Sequence, residues 1–88
     1  LMIGWMACSK AGHDKDKIYI IIEETDKYVW LADGDIRKAD NPKRKSRKHI
    51  QIIKKIADEQ MFVNPASVNE TIKRTIKLYK QSLLRQQK

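Results

Sequence analysis

Ile18, Tyr19, Ile20, Ile21 and Ile22 form an unbroken apolar run. A segment this short makes no stable isolated helix, and a strand that is apolar on both sides has to be covered on both faces. The run therefore reads as the central strand of a sheet, with other parts of the chain packed above and below it. The chain has 88 residues with 41% hydrophobic content, enough for one small core and too little for a second domain.

Around that run, β-branched and aromatic residues cluster between turn residues, and the pattern predicts five short strands at residues 2–9, 17–24, 28–32, 35–39 and 48–54. Asp33-Gly34 is expected to make a tight hairpin turn from which residues 35–39 return antiparallel. Asn41-Pro42 disfavours helix, and mutual repulsion among Lys43, Arg44, Lys45 and Arg47 favours an extended, solvated loop over residues 40–47. In the last strand Ile50 and Ile52 share a face. Trp5, Tyr19, Tyr28 and Trp30, at strand positions, are assigned to the core.

Residues 57–66 read as a linker in which Met61, Phe62 and Val63 cover an open end of the barrel. Ser67 and Glu70 form a capping-box pattern ahead of a helix over residues 67–88. Val68, Ile72, Ile76, Tyr79 and Leu83 line one face of that helix, with Lys73, Lys77 and Lys80 opposite, so the apolar stripe is expected to pack on the sheet. The expected architecture is mainly β: a small barrel over residues 1–56, a linker, and a basic amphipathic C-terminal helix.

The formal net charge is +8, a field that attracts polyanions without selecting among them. Its distribution is uneven. Residues 1–36 carry 4 basic and 7 acidic side chains, whereas residues 37–56 carry 9 and 1, and residues 67–88 carry 6 and 1. This separation suggests that the fold gathers the cations after Arg37 onto one side as an electrostatic footprint.

Several function classes are disfavoured. The single cysteine, Cys8, permits neither an internal disulfide nor a multi-thiolate zinc site, and His13 with His49 makes a poor ligand pair. No base stands in an evident relation to Cys8, and Asp14 with Asp16 lies among lysines, where ion pairing is the simpler reading. No catalytic residue, metal, cofactor or small-molecule substrate is therefore expected. No apolar run approaches the roughly 20 residues of a membrane span, so no membrane partner is expected either. A reducing, cytoplasmic setting is the natural reading.

Three blocks remain: Ser9-Lys10-Ala11-Gly12-His13-Asp14, then Ala32-Asp33-Gly34-Asp35-Ile36-Arg37-Lys38, then Asn41-Pro42-Lys43-Arg44-Lys45-Ser46-Arg47-Lys48-His49. In this order and spacing they resemble the bacterial KOW-domain RNA-binding proteins, which are similar to KOW-containing large-subunit ribosomal proteins of archaea and eukaryotes. The resemblance covers roughly residues 3–54. It implies an SH3-like barrel, Gly12 as the KOW glycine, and binding to RNA, specifically large-subunit ribosomal RNA, with neighbouring ribosomal proteins as further partners. Where many KOW motifs carry a second glycine, this chain has Asp16.

The candidate RNA-binding residues are Lys10, His13, Arg37, Lys38, Lys43, Arg44, Lys45, Arg47, Lys48 and His49, with Gly12 and Gly34 as structural turn residues. Arg44 and Arg47 are singled out for bidentate phosphate contacts. Two other readings stand beside this one: an SH3-like protein-interaction module of the transcription or translation machinery, and a DNA-binding barrel.

Overall fold

The computed structural model describes residues 2–56 and 62–86. The chain is mainly β, with strands β1 (Trp5–Ser9), β2 (Ile18–Glu24), β3 (Tyr28–Ala32), β4 (Lys43–Ser46) and β5 (Ile50–Lys55), followed by helix α1 (Val68–Gln86). All five strands join in one antiparallel sheet of order β4-β3-β2-β1-β5. β2 is central, as its double-sided apolar run requires.

β4 and β5 lie at opposite edges, yet a single 3-10 turn, Arg47–His49, joins them. In a flat sheet the four gaps between those edges would span about 19 Å. The chain from Ser46 to Ile50 reaches at most about 14 Å. The sheet must therefore curl toward a barrel, although β4 and β5 do not pair and the ladder stays open.

Curling divides the apolar residues into two layers. Inside the curl, Ala7, Tyr19, Ile21, Val29 and Leu31 are buried, with Met2, Trp5, Ile50 and Ile52 packed against them. On the outer face, Met6, Ile20 and Ala32 meet Val68, Ile72 and Ile76 of α1, with Ile18, Ile22, Ile53, Phe62 and Tyr79 around them. Alternation along β2 sends Tyr19 and Ile21 inward and Ile18, Ile20 and Ile22 outward, so each face of the run has its own cover. The register shifts between Ile21 and Glu23, where the extra residue turns Glu24 toward the inner face beside Val29.

Three sequence expectations are corrected. Residues 35–39 do not form a strand: the Asp33 carboxylate accepts the N–H groups of Asp35 and Arg37, both at 2.9 Å, and the Arg37 carbonyl accepts those of Asp33 and Gly34. An Asp side chain that satisfies its own backbone locally competes with a sheet ladder. Residues 43–46 are the fourth strand rather than a solvated loop, because their lysines find an internal anion described below. The capping box is absent too: the Ser67 hydroxyl donates to the Asn64 carbonyl at 3.4 Å, and Glu70 faces Lys73.

Of the linker residues, Phe62 packs against the outer cluster while Val63 is exposed; Met61 lies outside the described residues, as do the last two residues of the expected helix. Leu83 is 36% exposed and does not join the outer cluster, so the stripe that packs runs from Val68 to Tyr79.

Gly34 serves helix docking rather than a hairpin. It is buried at φ +80°, and a Cβ there would stand 2.1 Å from the Asn69 carbonyl oxygen and 3.0 Å from the Lys73 nitrogen. Alongside it, the Ala39 N–H donates to Asn69 Oδ1 at 2.8 Å. Gly12 also has positive φ, +86°, but a Cβ there would meet nothing closer than 3.6 Å. Gly12→Ala thus incurs only the left-handed backbone cost of about 1–2 kcal/mol, whereas Gly34→Ala adds overpacking of about 1–3 kcal/mol. Urea unfolding should find Gly34→Ala the more damaging by roughly 2 kcal/mol; equal losses would contradict the close helix approach.

Candidate nucleic-acid interface

Alternation in β4 separates the basic run into two groups. Its register places Lys43 opposite Leu31 and Lys45 opposite Val29, both inward, while Arg44 is opposite Trp30 and Ser46 opposite Tyr28, both outward. The inward lysines reach Asp14, which the β1–β2 loop carries to the mouth of the curl. Lys45 Nζ donates to Asp14 Oδ1 at 2.7 Å and to the Ala11 carbonyl at 2.8 Å, and Lys43 Nζ lies 3.1 Å from Oδ2.

Ser9 and Tyr19, inner-face residues of β1 and β2, complete the arrangement. The Ser9 hydroxyl donates to Asp14 Oδ1 at 2.9 Å and the Tyr19 hydroxyl to Oδ2 at 3.0 Å. Asp14 is only 6% exposed, and no buried side-chain N or O atom among the described residues lacks a partner. Burial pushes the Asp14 carboxyl upward, but the hydrogen bonds from Lys45, Lys43, Ser9 and Tyr19 outweigh it and hold the group well below the usual carboxylate range. Burial, and then the adjacent Asp14 carboxylate, raise the Tyr19 hydroxyl far above its ordinary range.

Arg47 has an internal partner as well. Its Nη2 donates to Glu24 Oε2 at 2.5 Å and its Nε to the Thr25 carbonyl at 2.7 Å. The same Glu24 carboxylate accepts the Met2 N–H at 2.7 Å. Lys43, Lys45 and Arg47 therefore hold internal carboxylates, Lys45 nearly buried and the other two about a third exposed, and the cations after Arg37 do not form one undivided footprint.

The other candidates lie at three places. The Lys10 N–H donates to the His49 carbonyl at 2.8 Å, which joins the β1–β2 loop to the 3-10 turn and sets Lys10 and His49 side by side, with Lys48 exposed in the same turn. His13 is exposed elsewhere in that loop, and Lys10 has only a loose contact with Asp16 at 3.9 Å, of a kind that contributes little in water. Arg44 stands on the outer face of β4, its guanidinium 4.7 Å from the centroid of the Tyr28 ring. Arg37 and Lys38 follow the Asp33 turn beside the start of α1, with Arg37 half-buried and Lys38 exposed. Among the described residues, Arg37, Lys38, Arg44 and Lys48 make no salt bridge.

The four aromatic residues also divide. Tyr19 and Trp5 belong to the inner core, but Tyr28 is 38% exposed and Trp30 is half-buried outside both core clusters. The period-2 pattern Tyr28-Val29-Trp30-Leu31 carried that signal, since Val29 and Leu31 take the inner face and leave the rings outside. Among the described residues, no group of three or more His, Cys, Asp or Glu side chains is placed to hold a metal ion, and no helix is long and apolar enough to cross a membrane. No protein-family model matches the chain, and no curated protein matches it significantly.

The Asp14 cluster has a pH signature. A carboxyl depressed in the fold below its ordinary 3.8 binds fewer protons than it does unfolded, so its stabilisation is complete above about pH 5 and declines as pH falls toward the lower folded value. Asp33, lowered by backbone N–H groups and Lys17 despite its burial, contributes in the same direction. Asp14→Asn should lose about 3 kcal/mol at pH 7, because two lysines lose their buried anion. It should also lose less than the parent between pH 5 and pH 3 in urea unfolding, retaining only the part due to Asp33 and other carboxylates. An unchanged acid slope would exclude Asp14 as the source.

Proposed function

We propose that this chain is a KOW-type RNA-binding protein that associates with the ribosome in the cytoplasm and contacts ribosomal RNA of the large subunit without catalysing a reaction. The observation that carries the reading is the Lys10 N–H bond to the His49 carbonyl, which brings together two sequence blocks that resemble the KOW family, with Lys10, Lys48 and His49 exposed there. They supply the contact surface, His13 lies in the adjoining loop, and Arg44 extends the reach along β4. Lys43, Lys45 and Arg47, paired with Asp14 and Glu24, hold the strand and turn that present it.

The backbone of the β1–β2 loop supports the family resemblance. Gly12 has φ +86°, and Asp16, which stands where many KOW motifs have their second glycine, has φ 72°. An Asp tolerates that conformation better than most residues, so the loop keeps a glycine-like path at both positions. A small surface of exposed cations on a rigid sheet suits recognition of RNA backbone and shape, because the deep major groove of A-form RNA excludes side chains.

Lys48→Glu and Arg44→Glu should each weaken binding to a large-subunit ribosomal RNA fragment by roughly tenfold, and neutralising either residue should make the salt dependence shallower by about one unit of slope. Lys48→Glu should leave the unfolding midpoint unmoved, since Lys48 holds no carboxylate among the described residues, and Arg44→Glu should lower stability only by its lost contact over Tyr28, about 0.5–1 kcal/mol. Fluorescence anisotropy at matched salt, with duplex DNA as competitor, measures both. Equal affinity for DNA, or a chain that sediments free of ribosomal particles in low-salt lysate, would overturn the proposal.

A further inference from the structure

We infer that Tyr28, Trp30 and Arg44 form a stacking platform for an unpaired RNA base, with Lys48 and Lys27 placed to take the adjoining phosphates. The inference rests on the RNA reading and deepens it, since phosphate and shape contacts alone do not require an unpaired nucleotide.

The geometry begins with strand alternation. Tyr28 and Trp30 project from the outer face of β3, their ring centroids 6.5 Å apart at an interplanar angle of 61°, and Arg44 sits opposite Trp30 on β4. The Arg44 guanidinium lies over the Tyr28 ring, a contact that holds its planar group at the surface while its N–H donors stay available. α1 covers the same sheet face at Met6, Ile20 and Ala32, but neither Tyr28 nor Trp30 joins that cluster. Two rings and a guanidinium are thus gathered at the surface of a sheet whose cores are complete without them. Unpaired bases stack on such aromatic and guanidinium surfaces.

Charge selects the direction of approach. A shallow cleft beside Tyr28 is lined by Asp26, Lys27, Ser46, Arg47 and Lys48. Arg47 is neutralised by Glu24, so Lys27 and Lys48 are the cations left facing it among the described residues. Glu23 stands opposite Trp30 on the β2 side and repels phosphate there, while Asp26 lies at the β2–β3 turn. A strand that places its base on Trp30 is therefore directed to run its backbone over β4 and the 3-10 turn, toward Arg44 and Lys48.

The test follows the Trp30 indole and Tyr28 ring resonances of the unaltered protein by NMR. The protein is titrated with a single-stranded RNA of about eight nucleotides, and separately with the same strand annealed to its complement, at one salt concentration. Stacking predicts upfield ring-current shifts at both residues with the single strand and none with the duplex. Trp30→Ala should weaken single-strand binding about tenfold or more while leaving duplex affinity unchanged, and Trp30→Phe should retain most of it. Duplex binding with unmoved ring resonances in both titrations would overturn the platform and leave the RNA reading standing. Failure of both RNAs to bind at low salt would overturn the RNA reading and the platform with it.

Discussion

One buried anion, Asp14, decides how the charge of β4 is divided. Asp14, carried by the β1–β2 loop to the mouth of the curled sheet, gathers Lys43, Lys45, Ser9 and Tyr19 around one carboxylate. Without it, a strand reading Lys-Arg-Lys-Ser would have no reason to enter a sheet, since two ammonium groups facing the inner side would stand unpaired near a low-dielectric core. With it, β4 forms, the 3-10 turn can cross from one edge to the other, and Arg44 is turned outward. The chemistry available at the surface is a consequence of the charge buried inside.

β2 imposes a second constraint that acts through packing. Its inward residues need the curl and its outward residues need α1, so the sheet is not a finished unit until the helix is docked. Gly34 makes that docking close, because only a residue without a side chain lets the β3–β4 connection lie against the helix backbone at Asn69. Curl, helix and connection are coupled through one strand, and the outer-face area beyond the helix is what remains open to a partner.

Much of this was legible in the sequence for particular reasons. The isoleucine run announced a central strand covered twice, and the Val68 to Tyr79 stripe announced a helix packed on a sheet, because both patterns follow the geometry of their own element. Ile50 and Ile52 were placed on one face by the same logic. The fourth strand was not legible, because repulsion among Lys43, Arg44 and Lys45 dominates until a residue some thirty positions away, Asp14, is known to lie between them. For the same reason the pairing of Lys43 and Lys45 with an internal anion was hidden, and so was that of Arg47 with Glu24. Asp33-Gly34 was misread as a hairpin because the dipeptide signals a turn without saying whether a strand or a helix contact follows. Tyr28 and Trp30 could have been separated from the core by their alternation with Val29 and Leu31, a signal outweighed by the general tendency of strand aromatics to be buried.

Along β4 the inward lysines hold the fold, whereas Arg44, turned outward beside Tyr28 and Trp30, is the cation proposed to meet RNA. Ultraviolet crosslinking in cells, with the RNA sequenced and the attached residues mapped by mass spectrometry, tests that division directly. Ribosomal RNA joined to peptides at Tyr28, Trp30 or the Lys48–His49 turn is the predicted result. Adducts concentrated on the lysines of α1, or RNA attached chiefly through Lys43 and Lys45, would contradict it.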